Sequence, residues 1–231
     1  MVVDYLSRFM FGTDLSEAFS ISFKGAAAAE AYGMKNALRI AIDISKGIKG
    51  LDDNSVICAC KLSAFDVCYR NPIIAMSSKG YKEINPDKYT IENIQTLVKR
   101  TLTLFEIFGP VIKFGFTFEP EDADEYDKNY FQTGITNTYG GYTTTINKGD
   151  GDFLTSDTLW ELKVSKRKPT SKHTLQLLIY WIMGQHSGQD IYKCITKLAV
   201  FNPRLNTLYQ YRIENIPESI IRTVEREVIC Y

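Results

Sequence analysis

Apolar residues recur at a helical spacing through the first third of the chain. Over residues 14–29, 34–44 and 55–69 they stand three or four positions apart, which places them on one face of an α-helix. Asp14, with Glu17 three residues later, matches a capping box and predicts the start of the first helix. The N-terminal third is therefore predicted to be mostly helical.

The most regular amphipathic pattern covers residues 91–105, where apolar residues at helical spacing alternate with charged ones. Gly109 and Pro110 end this predicted helix. The period then changes to two over residues 111–118, which is typical of a strand. The acidic run that follows, residues 119–127, is predicted to be a solvated loop.

Three successive strands are predicted next, over residues 140–147, 152–154 and 158–165, joined by short polar turns. An apolar helix, two strands and a closing helix follow: 173–183 with Gly184 as its end, 197–201, 207–213, and a helix opened by Pro217. This order is typical of a mixed α/β arrangement. We expect an α/β core over residues 86–231, with a helical N-terminal portion, residues 1–85, packed on it or joined with it in one compact domain.

The composition indicates a globular protein without a net positive field. Of 231 residues 45% are hydrophobic, and 27 basic residues equal 27 acidic ones, which counts against a sequence-independent coat for nucleic acid. No apolar run reaches the roughly 18 residues of a membrane span, and the start lacks a secretory cleavage pattern. Five cysteines fit a reducing compartment. We therefore expect a cytoplasmic protein, no membrane association, and buried free thiols.

Candidate chemistry is concentrated in the segment GDGDFLTSDTLWELKVSK, residues 149–166. Asp152 and Glu161 lie on neighbouring predicted strands, where a hairpin brings cross-strand residues within about 5 Å. Lys163 shares a strand face with Glu161, because side chains alternate along a strand. Carboxylates bind Mg²⁺, and an ammonium group can orient or deprotonate the attacking water and neutralise phosphate oxygens. The segment predicts a metal-dependent phosphodiester cleavage site; the alternative is a surface hairpin with a cross-strand ion pair.

These residues resemble the PD-(D/E)xK nuclease superfamily, in which a metal-binding Asp precedes an acidic-x-Lys triplet on the next strand. The matching residues are Asp152, then Glu161 with Lys163. The predicted helix that follows carries Gln176 and Tyr180, similar to the Q-x-x-x-Y signature of the branch with RecB-type and phage-recombination exonucleases. In that branch these two residues support the active site and its contact with the nucleic-acid backbone.

The resemblance implies a restriction-endonuclease-like αβββαβ core and Mg²⁺-dependent or Mn²⁺-dependent cleavage of DNA, in a phage or host-defence setting. It implies that Asp152, Glu161 and the carbonyl oxygen of Leu162 bind the metal. Asp150 shares a strand face with Asp152 and is a further candidate ligand. Glu106, on the preceding predicted helix, is another candidate, so the sequence leaves open whether one or two metal ions bind.

A basic segment follows the triplet and contains Lys166, Arg167, Lys168 and Lys172. We expect these side chains to contact the phosphates of DNA, which would make binding steeply salt-dependent; the alternative is a solvated loop. Further protein partners and a homo-oligomer stay open. The rival function is a catalytically inactive nuclease-fold module that binds nucleic acid or protein within a larger complex.

The two histidines, His173 and His186, lack a partner at metal-ligand spacing. We expect them to be solvated or to cap a helix rather than to bind zinc or act in catalysis.

Overall fold

The structure is a computed structural model, and it describes residues 1–75, 80–120, 140–147 and 149–231. The chain forms two compact units, residues 1–103 and 104–231. The division lies inside a long helix, whereas the boundary predicted between residues 85 and 86 precedes that helix. Among the described residues, no helix is both long and apolar enough to cross a membrane.

The first unit is helical, as the spacing of its apolar residues predicts. Its helices are α1 Val2–Met10, α2 Leu15–Ala18, α3 Ser20–Ala31, α4 Ala37–Ser45, α5 Asp53–Ser63, α6 Asp66–Arg70, α7 Pro72–Ala75 and the first part of α8 Lys88–Phe108, with a short 3-10 turn at Tyr81–Glu83. The helix predicted over 14–29 is divided at Phe19. Asp14 caps α2 by accepting a hydrogen bond from the backbone N–H of Ser16 at 2.8 Å.

A buried carboxyl group links helices of the first unit. Asp66 is 1% exposed and accepts hydrogen bonds from the Tyr5 hydroxyl at 2.8 Å and the Ser22 hydroxyl at 2.6 Å. Burial raises the pKa of the Asp66 carboxyl. Nearby, a Cβ atom at Gly25 would lie 2.0 Å from the carbonyl oxygen of Phe65. Glycine therefore allows α3 to pass against the chain at the start of α6.

The second unit is built on a five-stranded mixed sheet. Its strands are β1 Val111–Phe114, β2 Phe153–Thr155, β3 Thr158–Leu162, β4 Lys197–Asn202 and β5 Thr207–Arg212, in the spatial order β1-β2-β3-β4-β5. Strands β3 and β4 are parallel, and the other neighbours are antiparallel. The other elements among the described residues of this unit are α9 Ser171–His186, α10 Glu218–Val224, a π-helical turn Glu225–Ile229, and 3-10 turns at Asp190–Tyr192 and Ile213–Asn215. The expected mixed α/β class is confirmed.

The two faces of this sheet pack against different residues of the second unit, those of α9 on one face and those of the last turn of α8, residues 104–108, on the other. On one face Leu154 and Leu159 belong to the same buried cluster as Leu178 of α9. On the other face Trp160 packs against Phe105, near the end of α8, with ring centroids 5.4 Å apart. Because side chains alternate along β3, its odd-numbered residues face α9 and its even-numbered residues face α8.

The strand predicted over 140–147 is wrong. The hydroxyl of Thr143 accepts hydrogen bonds from the backbone N–H groups of Thr145 and Ile146 at 3.2 and 3.1 Å, so the chain turns there. Such local side-chain bonds compete with strand pairing. The three-stranded meander is instead formed by β1, β2 and β3. Most of the acidic run predicted to be a loop, residues 121–127, lies outside the described residues.

Other boundaries also differ from the prediction. Strand β3 ends at Leu162 rather than Ser165. Helix α9 continues past Gly184 to His186. Gly184 has a packing role, since a Cβ atom there would lie 2.4 Å from the buried ring of Tyr192. The cysteines are free as expected but not buried: Cys58, Cys60 and Cys68 are half-buried and Cys194 and Cys230 are exposed.

The close contact at Gly184 leads to a stability prediction. Gly184→Ala should lower the free energy of unfolding by about 1–3 kcal/mol, because the added methyl group displaces the Tyr192 ring. Urea denaturation followed by circular dichroism measures this change. Gly149→Ala is the matched control, because its Cβ atom would have its nearest neighbour at 3.5 Å. Equal stability of the two variants would contradict the packing role.

Candidate active site

Strands β2 and β3 place Asp152 and Glu161 side by side. Phe153 pairs with Trp160 and Leu154 with Leu159, so the same register continued by one residue sets Asp152 opposite Glu161. The Oδ2 atom of Asp152 accepts a hydrogen bond from the backbone N–H of Leu162 at 2.7 Å. The predicted cross-strand relation of the two carboxylates therefore agrees with the register.

The segment before β2 is held against the chain that follows β1. The backbone N–H of Gly115 donates to the carbonyl oxygen of Asp152, and that of Gly151 donates to Phe116, both at 2.9 Å. A Cβ atom at Gly151 would lie 1.8 Å from the Phe116 ring. Only glycine fits between the two aspartates of this segment, Asp150 and Asp152.

Glu161 is a buried carboxylate at the end of β3 and is 6% exposed. It forms an ion pair with Lys163, whose side chain lies on the same strand face. The backbone N–H of Lys163 donates to the carbonyl oxygen of Phe201 at 2.9 Å, so the pairing with β4 continues one residue beyond β3. The extended backbone explains why the two side chains meet.

Helix α9 supplies the other two predicted residues. The Nζ atom of Lys163 donates to Oε1 of Gln176 at 3.3 Å, and Nε2 of Gln176 donates to the Tyr180 hydroxyl at 2.9 Å. Gln176 and Tyr180 are one helical turn apart and therefore share a face of α9. The structure joins Glu161, Lys163, Gln176 and Tyr180 in one continuous polar chain.

The electrostatic environment of Tyr180 shows how the acidic groups are gathered. Its pKa is raised to about 12, first by burial and further by the negative charges of Glu161, Asp150 and Asp152, against the hydrogen bond from Gln176. The three carboxylates thus add negative potential at one place on the α9 face of the sheet. Negative potential of this kind favours a bound cation.

His173 caps α9, as expected for one of the two histidines. The backbone N–H of Thr170 donates to its Nδ1 atom at 3.0 Å. Because Nδ1 accepts, the proton of the neutral ring lies on Nε2. Burial and the positive charge of Lys163 lower the pKa of His173. The imidazole therefore reports on the charge of Lys163.

The remaining candidate ligands are placed less centrally. Asp150 is exposed, and so is Glu106 on α8, the helix that covers the opposite face of the sheet. Within the described ranges, no three His, Cys, Asp or Glu side chains form a group that could hold a metal ion. Asp152 and Glu161 with a backbone carbonyl still suit Mg²⁺, which keeps several waters and needs only one or two carboxylates.

The predicted basic residues Lys166, Arg167, Lys168 and Lys172 are all exposed. Their segment is shaped by Ser165, whose hydroxyl accepts from the backbone N–H of Arg167 at 3.0 Å.

Sequence reasoning missed Asn202, a fully buried amide at the end of β4. Its Nδ2 atom donates to the carbonyl oxygens of Ser165 at 2.8 Å and Arg167 at 3.3 Å. The sequence signal is the Asn-Pro pair directly after an apolar strand, which by itself indicates only a turn.

No protein-family model matches the chain, and comparisons with curated proteins and with solved structures give no significant match.

The electrostatic effect of Lys163 on the pKa of His173 can be tested in solution. Lys163→Met should raise the pKa of His173 toward its ordinary value of about 6.5 without reaching it, since the ring stays partly buried. NMR titration of the imidazole resonances measures this. The chain has two histidines, so the resonances of His186 check that the rest of the protein is unchanged. An unaltered His173 titration would show that the lysine lies elsewhere.

Proposed function

We propose that this protein is a Mg²⁺-dependent or Mn²⁺-dependent nuclease that hydrolyses phosphodiester bonds of DNA. The observation that carries the proposal is the polar chain from Glu161 through Lys163 and Gln176 to Tyr180, with Asp152 opposite Glu161. Asp152, Glu161 and Lys163 belong to the sheet face that α9 covers, and Gln176 and Tyr180 extend the chain of contacts from Lys163 along α9. A surface hairpin with an incidental ion pair does not account for a buried carboxylate joined to the next helix.

The order of elements supports the same proposal. In the part of the chain that the structure describes, helix α8, strands β1 to β3, helix α9 and strand β4 follow one another, and β4 is parallel to β3. This is the αβββαβ order of a restriction-endonuclease-like core. We propose that fold for the chain from α8 to β4, with β5 and α10 added after it.

The donor set fits a hard divalent cation. Asp152, Glu161 and the carbonyl oxygen of Leu162 would hold it, because the register sets the two carboxylates opposite each other and Asp152 accepts from the backbone of Leu162. Asp150, exposed beside them, would add an oxygen through water. Such a cation, when bound, lowers the pKa of a coordinated water and offsets charge on phosphate oxygens.

The protein side chains have distinct roles in the proposed reaction. The ammonium of Lys163 donates one hydrogen bond to Glu161 and one to Gln176. With respect to the described residues, its third N–H is left to orient the attacking water or to neutralise charge that develops on the phosphate. Gln176 orients this ammonium through its oxygen while its nitrogen is fixed by Tyr180. The Tyr180 hydroxyl accepts this hydrogen bond from Gln176, and its O–H can donate a hydrogen bond to a substrate oxygen.

The cleavage prediction concerns Glu161 and Lys163. Lys163→Met should lower kcat for DNA cleavage by about 10²–10³, the cost of removing one donor from a developing charge. Glu161→Gln, which keeps the shape of the side chain, should abolish metal-dependent cleavage. Gel assays with linear and circular DNA, in Mg²⁺ or Mn²⁺, measure both effects and show whether free ends are required.

A matched control lies at the other end of the same strand. Asp157 pairs with Lys197 at 2.6 Å, so Asp157→Asn also removes a carboxylate that faces a lysine. It should cleave like the wild type. Circular dichroism checks folding, since Lys163→Met leaves a buried carboxylate without its counter-charge. Full activity of folded Glu161→Gln would refute the proposed site, and an inactive wild type that binds DNA would favour the inactive-module alternative.

The metal prediction concerns Asp152. Asp152→Asn keeps an oxygen that can accept from Leu162 but loses the negative charge, so the fold should persist while Mn²⁺ affinity falls by at least about tenfold. Isothermal titration with Mn²⁺ measures the affinity, and thermal unfolding without metal measures the fold. Unchanged Mn²⁺ binding would remove Asp152 from the ligand set.

A further inference from the structure

Positive charge is segregated along this chain. Residues 162–213 contain nine Lys or Arg and one acidic residue, Asp190, although the whole chain has 27 of each sign. These residues include β4, β5 and α9. The zero net charge therefore conceals a basic region that begins directly after Glu161.

The cations of this region differ in their partners. Four are paired with carboxylates: Lys163 with Glu161, Lys197 with Asp157 at 2.6 Å, Lys193 with Asp190 at 2.6 Å, and Arg212 with Glu214 at 3.0 Å. In contrast, Lys166, Arg167, Lys168 and Lys172 form no ion pair with any described carboxylate. Lys197 and Arg212 are paired in register at the start of β4, whereas Lys166 to Lys168 follow the carboxyl end of β3.

Asn202 ties the two carboxyl ends of the parallel strands together. Its Nδ2 atom holds the carbonyl oxygens of Ser165 and Arg167. Its Oδ1 atom accepts from the backbone N–H groups of Arg204 at 3.0 Å and Leu205 at 3.3 Å. A fully buried amide that bonds to both segments fixes one against the other, because breaking these bonds would leave buried polar groups unsatisfied.

Arg204 is consequently brought beside the basic segment. It lies two residues after Asn202, as Lys166 to Lys168 lie just after Ser165, and its side chain is exposed. Lys163 connects this region to the candidate active site, three residues before Lys166. The basic residues that follow β3 and the one that follows β4 therefore lie next to the candidate active site in the chain or across the Asn202 hydrogen bonds.

We infer that Asn202 is a positioning residue that assembles Arg204, Lys166, Arg167 and Lys168 into a binding surface for the phosphodiester backbone of a nucleic acid. This inference rests on the proposed nuclease function and identifies where the substrate strand leaves the site. Repeating phosphates suit several cations spread over two loops, and guanidinium groups bind phosphate oxygens in pairs. The surface reads charge and not base identity, so binding is independent of sequence.

Arg204→Gln tests the surface directly. Fluorescence anisotropy with a labelled DNA duplex, in EDTA so that no cleavage occurs, gives the affinity over a series of salt concentrations. The variant should bind severalfold more weakly at low salt, and the slope of log affinity against log salt should fall by about 1. Arg222→Gln, which removes the same charge from α10, should match the wild type. Equal slopes for wild type and Arg204→Gln would overturn the inference.

The role of Asn202 is tested by the salt dependence of DNA affinity, a quantity that a loss of stability alone does not change. Asn202→Asp keeps the acceptor for Arg204 and Leu205 but cannot donate to Ser165 and Arg167. Asn202→Asp should lower the slope of log affinity against log salt. In the double variant, Arg204→Gln should change this slope less than it does in the wild-type background. Full additivity of the two changes would refute positioning by Asn202. If Asn202→Asp does not fold, Lys166→Gln and Arg204→Gln test the surface itself: each single change must lower the slope, and an unchanged slope in either would overturn the inference.

The outcomes separate this inference from the proposed function. Loss of DNA binding in Arg204→Gln while Glu161→Gln still cleaves would refute the active site and keep the surface. Metal-dependent cleavage with no effect of Arg204→Gln would keep the nuclease and refute the surface. A wild type that binds heparin or an acidic protein but no DNA in EDTA would refute the surface as a nucleic-acid site.

Discussion

The burial of the Glu161 carboxylate is the constraint on which the rest of the candidate site depends. At 6% exposure a charged group costs several kcal/mol unless a counter-charge and hydrogen bonds compensate for it. Lys163 supplies the counter-charge, because two residues of extended chain return it to the same strand face. Its long side chain must itself be held in one position, and the oxygen of Gln176 does this at 3.3 Å. The orientation of Gln176 depends in turn on Tyr180. The buried charge of Glu161 thus accounts for a chain of contacts that joins β3 to the helix that covers it, α9.

The aromatic residues around this chain set the position of the second carboxylate. Phe118 packs against Tyr180, with ring centroids 5.2 Å apart, and Phe116 occupies the space that a side chain at Gly151 would need. The same cluster therefore supports the helix residue Tyr180 and the backbone that presents Asp152. This gives a physical reason for the second glycine of the Gly-Asp-Gly-Asp sequence: Gly151 allows close approach to the Phe116 ring and lies directly before Asp152.

The element types were largely predictable, and the errors have local causes. Helix α8 and strands β3, β4 and β5 follow periodic patterns and form close to the predicted positions. The segment 140–147 alternates like a strand, but the hydroxyl of Thr143 closes a turn and donates to the carbonyl oxygen of Ile229 at 2.7 Å. Gly184 resembles a helix end, yet it is a contact point for Tyr192. In both cases the deciding contact is a specific one, a hydroxyl that closes a turn or a ring packed against a glycine, and the spacing of apolar residues does not reveal it.

The sequence by itself determined which chemical groups are available and which of them share a face of one element. Glu161 and Lys163 meet because a strand has a period of two, and Gln176 and Tyr180 meet because a helix has 3.6 residues per turn. Only the tertiary structure decided that these pairs join, that Asp152 stands opposite Glu161, and that Asn202 links two loops far apart in sequence. Those relations depend on strand register and on packing of buried side chains, which are properties of the whole unit and have no repeating signature in the chain.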